Sequence, residues 1–581
     1  MIRRRIAEMT CLVPRSEAGL VAYVRSTTVW ISGIVSFLVG PAVAEDSAEL
    51  FLNALRRYAD QGLAQGRDTY GKPTPLFVDG VVVGTGEAVT WKWKDERPWV
   101  ICNLATQQGW FRTLDGITTL TGDPRYKAAA LDALQYAFRH LRFGNAREGG
   151  LLAWGGHLAY NATDDMLAGN PDGSGRVHEL KCHFPHYGLM WEADPEATRE
   201  IIENTWNSHV LDWATLDFNR HGVPRAIGKL WASEFRGGKI HFEGDGLTFH
   251  NAGSDFYFAA GMLSRLSGLP SPLAWATRLS QRYADTRNPI TDLEGFQFSQ
   301  SASAWCDSSG QIRGDRARHQ FAGEFEGHLV VEGTLFPCYG DTPLVETQMG
   351  RLLLAEALGK DGGIFLEHAV RALSGWGKSA YRESDNRFLP MLTDGTPLEG
   401  YVIRKDGYFG PKGMVFRAGK PDIDHLHAYA FAYRLSREPF LWEMTRKLAR
   451  RGGWGEIGDP AEPAERNLSA SAERSDPRLI LTWLDLYRAT GDPVFLRQAT
   501  VVGRNLLAQR THNGWFVESR RHVHCRLAND ESQAILHLAA ALMGKAGSVP
   551  AFTGAHPFFH AEYGKSEKRV YDSIEIYGRT R

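Results

Sequence analysis

Cysteine is scarce: six residues, at 11, 102, 182, 306, 338 and 525, with no two spaced as Cys-x-x-Cys. A disulfide framework is therefore not expected, even in an oxidising compartment, and the thiols read as small core residues. No basic run is longer than Arg3-Arg4-Arg5 and the formal charge is −1, so nucleic acid is not an expected partner. The apolar run from Val29 to Val39 has 11 residues. A membrane span needs roughly 20, so no stable anchor is expected either.

What precedes and follows that run has another meaning. Arg3-Arg4-Arg5 lies upstream, and Pro41-Ala42-Val43-Ala44 closes it with small residues. This is the layout of a signal peptide over 1–44, with cleavage after Ala44 and an exported mature chain, 45–581. The charged region is long for a signal peptide, which points to a start codon downstream of Met1. The mature length suffices for one large core.

Helical punctuation recurs through the body. Thr121-Gly122-Asp123-Pro124 precedes Tyr126, Ala130, Ala133 and Ala137; Thr490-Gly491-Asp492-Pro493 precedes Phe495, Ala499, Val502 and Leu506. Both sets mark one face of a helix opened by an Asp cap with Pro at its first position. Weaker forms of the turn stand at Ser267-Gly268-Leu269-Pro270, Leu358-Gly359-Lys360-Asp361 and Ser436-Arg437-Glu438-Pro439. Repeated helical hairpins stack as a solenoid or close as a ring. The irregular intervals and Gly-rich loops favour closure, giving an all-α dominated fold: a single (α/α) toroid of about seven hairpins. Minor β segments are expected near Lys239 to Phe242 and Trp515 to Val517, and Asp459 to Pro477 reads as a long surface loop.

Three clusters carry the chemistry: Gly155-Gly156-His157, His178-Glu179-Leu180-Lys181 and Asn219-Arg220-His221-Gly222. Imidazole and carboxylate ligate divalent ions, and catalytic sites commonly leave a position open for substrate. A His beside a Gly turn is equally an ordinary loop residue, and spacing alone leaves both readings open. In order and spacing the clusters resemble those of the family two polysaccharide lyases, the periplasmic pectate lyases. Gly66-Arg67-Asp68-Thr69-Tyr70, Thr74 to Gly80 and Asp285-Thr286-Arg287-Asn288-Pro289 resemble further stretches of that family.

The resemblance implies His157, Glu179 and His221 as metal ligands and Arg220 as catalytic base. Glu179 stands one residue beyond the family spacing, which leaves His178 as its competitor. The metal expected is Mn²⁺, with Ca²⁺ or Mg²⁺ also compatible with the carboxylate. The reaction is β-elimination on polygalacturonate or a related polyuronate, in the periplasm or outside a bacterial cell, by a monomer. Arg as a base demands surroundings that disfavour the guanidinium charge; without the resemblance, Arg220 reads as an ion pair or a clamp on the substrate carboxylate. Lys181, Arg225 and Arg287 are candidates to pair with uronate carboxylates, and Trp231 and Tyr70 to face sugar rings. Two alternatives stay open. A glycoside hydrolase on the same toroid would use a carboxylate pair such as Asp164/Asp165, Glu243/Asp245 or Glu324/Glu326, and a non-catalytic toroid would only bind glycans.

Overall fold

The computed structural model describes residues 41–92, 97–143, 150–156, 158–168, 177–178, 180, 182–246, 248–301, 305–306, 312–313, 343–404, 411–460, 462, 465–554, 560–563 and 568–581. Among them are fourteen helices of seven residues or more. We number these α1 (Pro41–Gln65), α2 (Gln108–Thr121), α3 (Arg125–His140), α4 (Tyr187–Ala193), α5 (Pro195–His209), α6 (His250–Ser267) and α7 (Pro270–Ala284). The second half has α8 (Pro343–Leu358), α9 (Gly363–Ser379), α10 (Ile423–Ser436), α11 (Pro439–Arg451), α12 (Pro477–Thr490), α13 (Pro493–Gln509) and α14 (Asp530–Leu542).

The even-numbered helices form an inner ring in which α4 packs on α6, α6 on α8, α8 on α10, α10 on α12, α12 on α14 and α14 on α2. The odd-numbered helices form the outer ring. Six hairpins are consecutive in sequence; the seventh joins the two ends of the chain, α14 inside and α1 outside. The expected toroid of helical hairpins is thus the observed fold.

The hairpin turns are made as their residues dictate. Gly122, Gly268 and Gly491 take φ of 77°, 74° and 72° and end α2, α6 and α12 by returning their N–H to the carbonyl four residues back. Asp194, Asp476 and Asp492 cap the helices that follow, each with Pro at the first turn. Tyr126, Ala130, Ala133 and Ala137, and Phe495, Ala499, Val502 and Leu506, are all buried, as their period requires. The small strands lie in the connections, including Phe242–Gly244 and Trp515–Phe516. Cys102, Cys182 and Cys525 are free and buried. Residues 1–40 lie outside the described residues, and the expected cleavage point at Ala44 falls in the first turn of α1.

The lumen is filled by the chain itself. Segment 546–554 runs from the C-terminal ends of the inner helices, where Ala546 lies beside Ala541, to their N-terminal ends, where Gly554 lies beside Asp424 and Arg478. Gln533 of α14 holds it, donating to the Thr553 carbonyl at 2.8 Å and accepting from its N–H at 3.3 Å. A cavity of about 640 Å³ remains in the lumen, lined by residues such as Arg112, Glu356, Arg434 and His537.

Ring closure rests on close apolar contact. A Cβ on Gly503 of α13 would come within 2.4 Å of Leu538 on α14 and 3.0 Å of Phe51 on α1, so glycine lets three helices meet. Phe51 is 0% exposed. Phe51→Ala should cost about 3–5 kcal/mol of stability, lowering the chemical denaturation midpoint. Its neighbour Leu50, 46% exposed, should give a change within about 0.5 kcal/mol on the same substitution.

Candidate functional site

In this topology every outer-to-inner connection emerges at the N-terminal ends of the inner helices. The second and third sequence clusters lie there, in the segments leading into α4 and α6. They meet as an antiparallel ladder in which His221 pairs with His178 and Gly222 with Val177. Two clusters separated by about forty residues in sequence are therefore one backbone unit. His157, Glu179 and Lys181 lie outside the described residues. No group of three metal-ligating side chains occurs among the described residues.

The C-terminal half of α5 supports this unit. Ser208 offers its carbonyl to the Val223 N–H at 3.2 Å and to Arg225 Nη2 at 2.8 Å; the His209 carbonyl accepts from the Asn219 N–H at 3.0 Å. The His209 ring is held through Nδ1, 2.9 Å from Ser208 Oγ and 2.7 Å from the Thr205 carbonyl. It lies so close to Gly222 that a Cβ there would stand 2.5 Å from His209 Cε1. Asn219 Oδ1 accepts the His221 N–H at 3.0 Å, closing an Asx turn around Arg220. The Arg220 guanidinium carbon sits 5.5 Å from the centroid of the Phe249 ring, at the entry to α6.

The first cluster is positioned from two sides. Asn204, also on α5, donates to the Gly150 carbonyl at 3.0 Å. The Gly155 turn that precedes His157, with φ 96°, is clamped by Asn103, which donates to the Gly155 carbonyl at 2.9 Å and accepts its N–H at 3.0 Å. Asn103 is itself fixed by Asp79 Oδ1, which accepts the Asn103 N–H and Gln107 Nε2, each at 2.8 Å. Burial raises the Asp79 carboxyl to about 7 against the lowering effect of those hydrogen bonds. Asp217, at the start of the Arg220 turn, is also raised by burial while it accepts the N–H groups of Asp245 and Gly246 at 2.8 and 3.0 Å.

The candidate substrate contacts are engaged in internal structure. Arg287 is 6% exposed, 3.2 Å from Glu294, and donates to the His368 carbonyl at 2.8 Å. Arg351 bonds the same carboxylate at 2.6 Å, and the pair holds Glu294 below the usual carboxylate range despite its burial. Arg287 is thus held by a carboxylate and a carbonyl of the ring wall. Trp231 donates to Glu203 at 3.0 Å and packs on Trp206 at 5.3 Å, inside a cluster with Trp213 and Trp275. Tyr70 accepts the Ala88 N–H at 2.7 Å, and Arg225 has the Ser208 bond. Of the hydrolase pairs, Asp164 is bonded to Arg97 at 3.1 Å, Asp165 takes the Lys72 N–H at 2.9 Å, and Glu324 and Glu326 lie outside the described residues. The lumen cavity reaches Pro185 and His186 at the entry to α4 and shares no residue with the ladder.

These observations define an α/α toroid with a loop-built site over the N-terminal ends of its inner helices. The family model for periplasmic pectate lyase matches residues 74–562, and the chain belongs to that family. It is a polysaccharide lyase. It is 29% identical over 535 residues to the pectate disaccharide-lyase of Dickeya dadantii (strain 3937), covering 87% of this chain and 92% of the relative. Among solved structures, a GH76 alpha-mannanase of Bacteroides thetaiotaomicron aligns over 87% of this chain and 99% of its own, at 10% identity and a TM-score of 0.39. The cellobiose 2-epimerase of Spirochaeta thermophila covers the same shares at 12% identity and a TM-score of 0.39.

Two outcomes follow. Gly222→Ala should push the ladder off the His209 ring and lower kcat/KM about 100-fold. Part of the loss should return in the His209→Ala/Gly222→Ala double variant, whereas full activity in the single variant would contradict the contact. Asp79 has its folded pKa raised from 3.8 to about 7. Its contribution to stability is complete below the unfolded value and is lost as pH rises through the folded one. Melting temperature should therefore fall from pH 4 toward pH 8, and less steeply in Asp79→Asn; Glu531, also raised to about 7 by burial, keeps part of the slope.

Proposed function

We propose that this lyase cleaves polygalacturonate by β-elimination, with His157, Glu179 and His221 holding a divalent ion and Arg220 taking the proton from C5. The observation that carries the reading is the His221–His178 ladder, which joins two of the three clusters on the face built by the outer-to-inner loops. The Asn103 clamp on Gly155 fixes the backbone before the third. Two imidazoles and a carboxylate suit Mn²⁺, with Ca²⁺ or Mg²⁺ as further candidates. The ion, when bound, would draw charge from the uronate carboxylate and so acidify the adjacent C5–H.

The chain's own residues do the rest. Arg220 is held at one position by the Asn219 turn and the Phe249 ring, so its guanidine meets one face of the sugar. As the C5 proton passes to Arg220, the C5 electron pair forms the C4–C5 double bond and the C4–O bond breaks. The departing oxygen takes a proton from water, and the new non-reducing end is unsaturated. Disaccharide release, the activity in the name of the Dickeya relative, is the cleavage mode we carry over to this chain. Export through the 1–44 segment would bring the enzyme to a polymer in the periplasm.

On polygalacturonate, ultraviolet absorbance of the unsaturated product should rise, stop on chelation and resume with Mn²⁺. Arg220→Ala should lower kcat at least ~100-fold with a smaller change in KM. Reducing ends formed without absorbance would instead indicate hydrolysis.

A further inference from the structure

The elimination site proposed above leaves the lumen cavity of about 640 Å³ without a role. Charged residues of its wall recur at one position: Arg265, Glu356, Arg434 and Arg488 each stand third from the end of α6, α8, α10 and α12, and all four line the cavity. Glu356 is shared by Arg434 at 2.7 Å and Arg488 at 3.0 Å. Asp485 takes Arg434 Nε at 2.6 Å and lies 3.4 Å from His427 Nε2. Asp115 lies 2.8 Å from His186 Nε2 and 3.3 Å from Lys127 Nζ. Each of the three wall carboxylates thus has a cation beside it.

The converse does not hold. Arg265 is exposed and makes no ion pair or hydrogen bond among the described residues. Arg112, 4% exposed, donates to the backbone carbonyls of Phe184 at 2.5 Å and Gln108 at 3.4 Å, and Asp115 acts on it only from beyond ion-pair distance. Burial lowers Arg112 to about 9. His537, in the middle of α14, lines the cavity with part of its surface accessible and has no hydrogen bond among the described residues. Burial lowers it to about 4, so the ring is a neutral imidazole with one donor and one acceptor to offer. Phe258 and Phe431 add apolar faces, and Ala546, Gly547 and Ser548 are exposed where the space meets solvent.

Cations near the C-terminal ends of helices are ordinary partners of the helix dipole, and Arg434 and Arg488 need no other reason. That does not account for an open cavity lined by two guanidiniums without a carboxylate and an imidazole without a partner. A space of this size with mixed polar and apolar walls suits a small polar ligand. We propose that the lumen cavity is a second binding site, for a short acidic sugar of one or two uronate units. Arg112 and Arg265 would take carboxylates, His537 a hydroxyl, and Phe258 and Phe431 the C–H face of a ring. The demand for an acidic sugar comes from the cavity; the choice of digalacturonate as occupant rests on the function proposed above. The cavity shares no residue with the His221–His178 ladder, so the two sites can be altered separately.

The test uses the full chain carrying Arg220→Ala, with chelator present, so that binding is read without turnover. Calorimetric titration compares saturated digalacturonate with lactose, a neutral disaccharide, and with citrate, a carboxylate without a ring. Digalacturonate should bind about tenfold more tightly than either, and adding Arg265→Gln/His537→Gln should weaken it about tenfold. Neither of those side chains makes an internal bond that the change would remove. Ala541→Phe, which sends a ring into the lumen from α14, should abolish binding. With Arg220 restored, both lumen variants should cut polygalacturonate at an unchanged rate. Digalacturonate binding that survives in both lumen variants, or equal binding of lactose or citrate, would overturn the proposal. So would a loss of polymer kcat/KM that matches the loss of digalacturonate binding, since the lumen would then belong to the path of cleavage. If the wild type forms no unsaturated product, the cleavage reading fails; digalacturonate binding that the lumen variants lose would still support the cavity site.

Discussion

Closure of the helical ring is the constraint on which the remaining structure depends. Six hairpins alone would expose an apolar edge at each end, and the fold covers both by packing α1 on α14, with Phe51, Leu538 and the side-chain-free surface of Gly503 in contact. Once the ring is closed, alternation of inner and outer helices sends the tight turns to one face and the long connections to the other. The long connections carry the His, Glu and Arg clusters. Segment 546–554 fills part of the lumen between the faces.

On the loop-bearing face, precision is imported from helices. The last turn of α5 fixes the strand of His221 through backbone bonds and through the His209 ring beneath Gly222. The Gly155 turn is fixed by Asn103, and Asn103 by a buried Asp79 that acts through neutral or charged oxygen alike. Arg220 leans on Phe249 at the entry of α6. Loops so tied have a fixed backbone at two of the sequence clusters, the His221 strand through α5 and the Gly155 turn through Asn103.

Much of the fold was legible because its information is local. Gly122-Asp123-Pro124 and Gly491-Asp492-Pro493 are turns whose residues specify φ and caps directly, and the weaker turns at 268, 359 and 437 use the same geometry, with Arg437 at φ 62° standing where glycine is usual. The Ala193-Asp194-Pro195 turn carries the same Asp-Pro signal without a glycine and was not singled out. Pairing of α1 with α14 was not legible, since nothing local joins residues so far apart. The same limit divides the site. Metal-type residues announce themselves by type, and a family resemblance ordered them. Asn103, fifty-two positions from Gly155, and His209 under Gly222 had no sequence signal, because a supporting contact leaves none until the chain is folded. The Glu294 partner of Arg287 was equally silent, since a cation in a recognisable stretch looks the same in sequence whatever it pairs with.

The proposed divalent-metal site next to Arg220 draws its residues from two connections, His157 and Glu179 from α3–α4 and His221 from α5–α6. Equilibrium dialysis against Mn²⁺, with bound metal counted by electron paramagnetic resonance, tests it without reference to turnover. One ion per chain should bind to the wild type and to Arg220→Ala. Binding should fall sharply in His157→Ala, Glu179→Ala and His221→Ala, while the variants keep their melting temperature in metal-free buffer. Equal Mn²⁺ binding across all five proteins would contradict the account and return His157, Glu179 and His221 to ordinary loop residues.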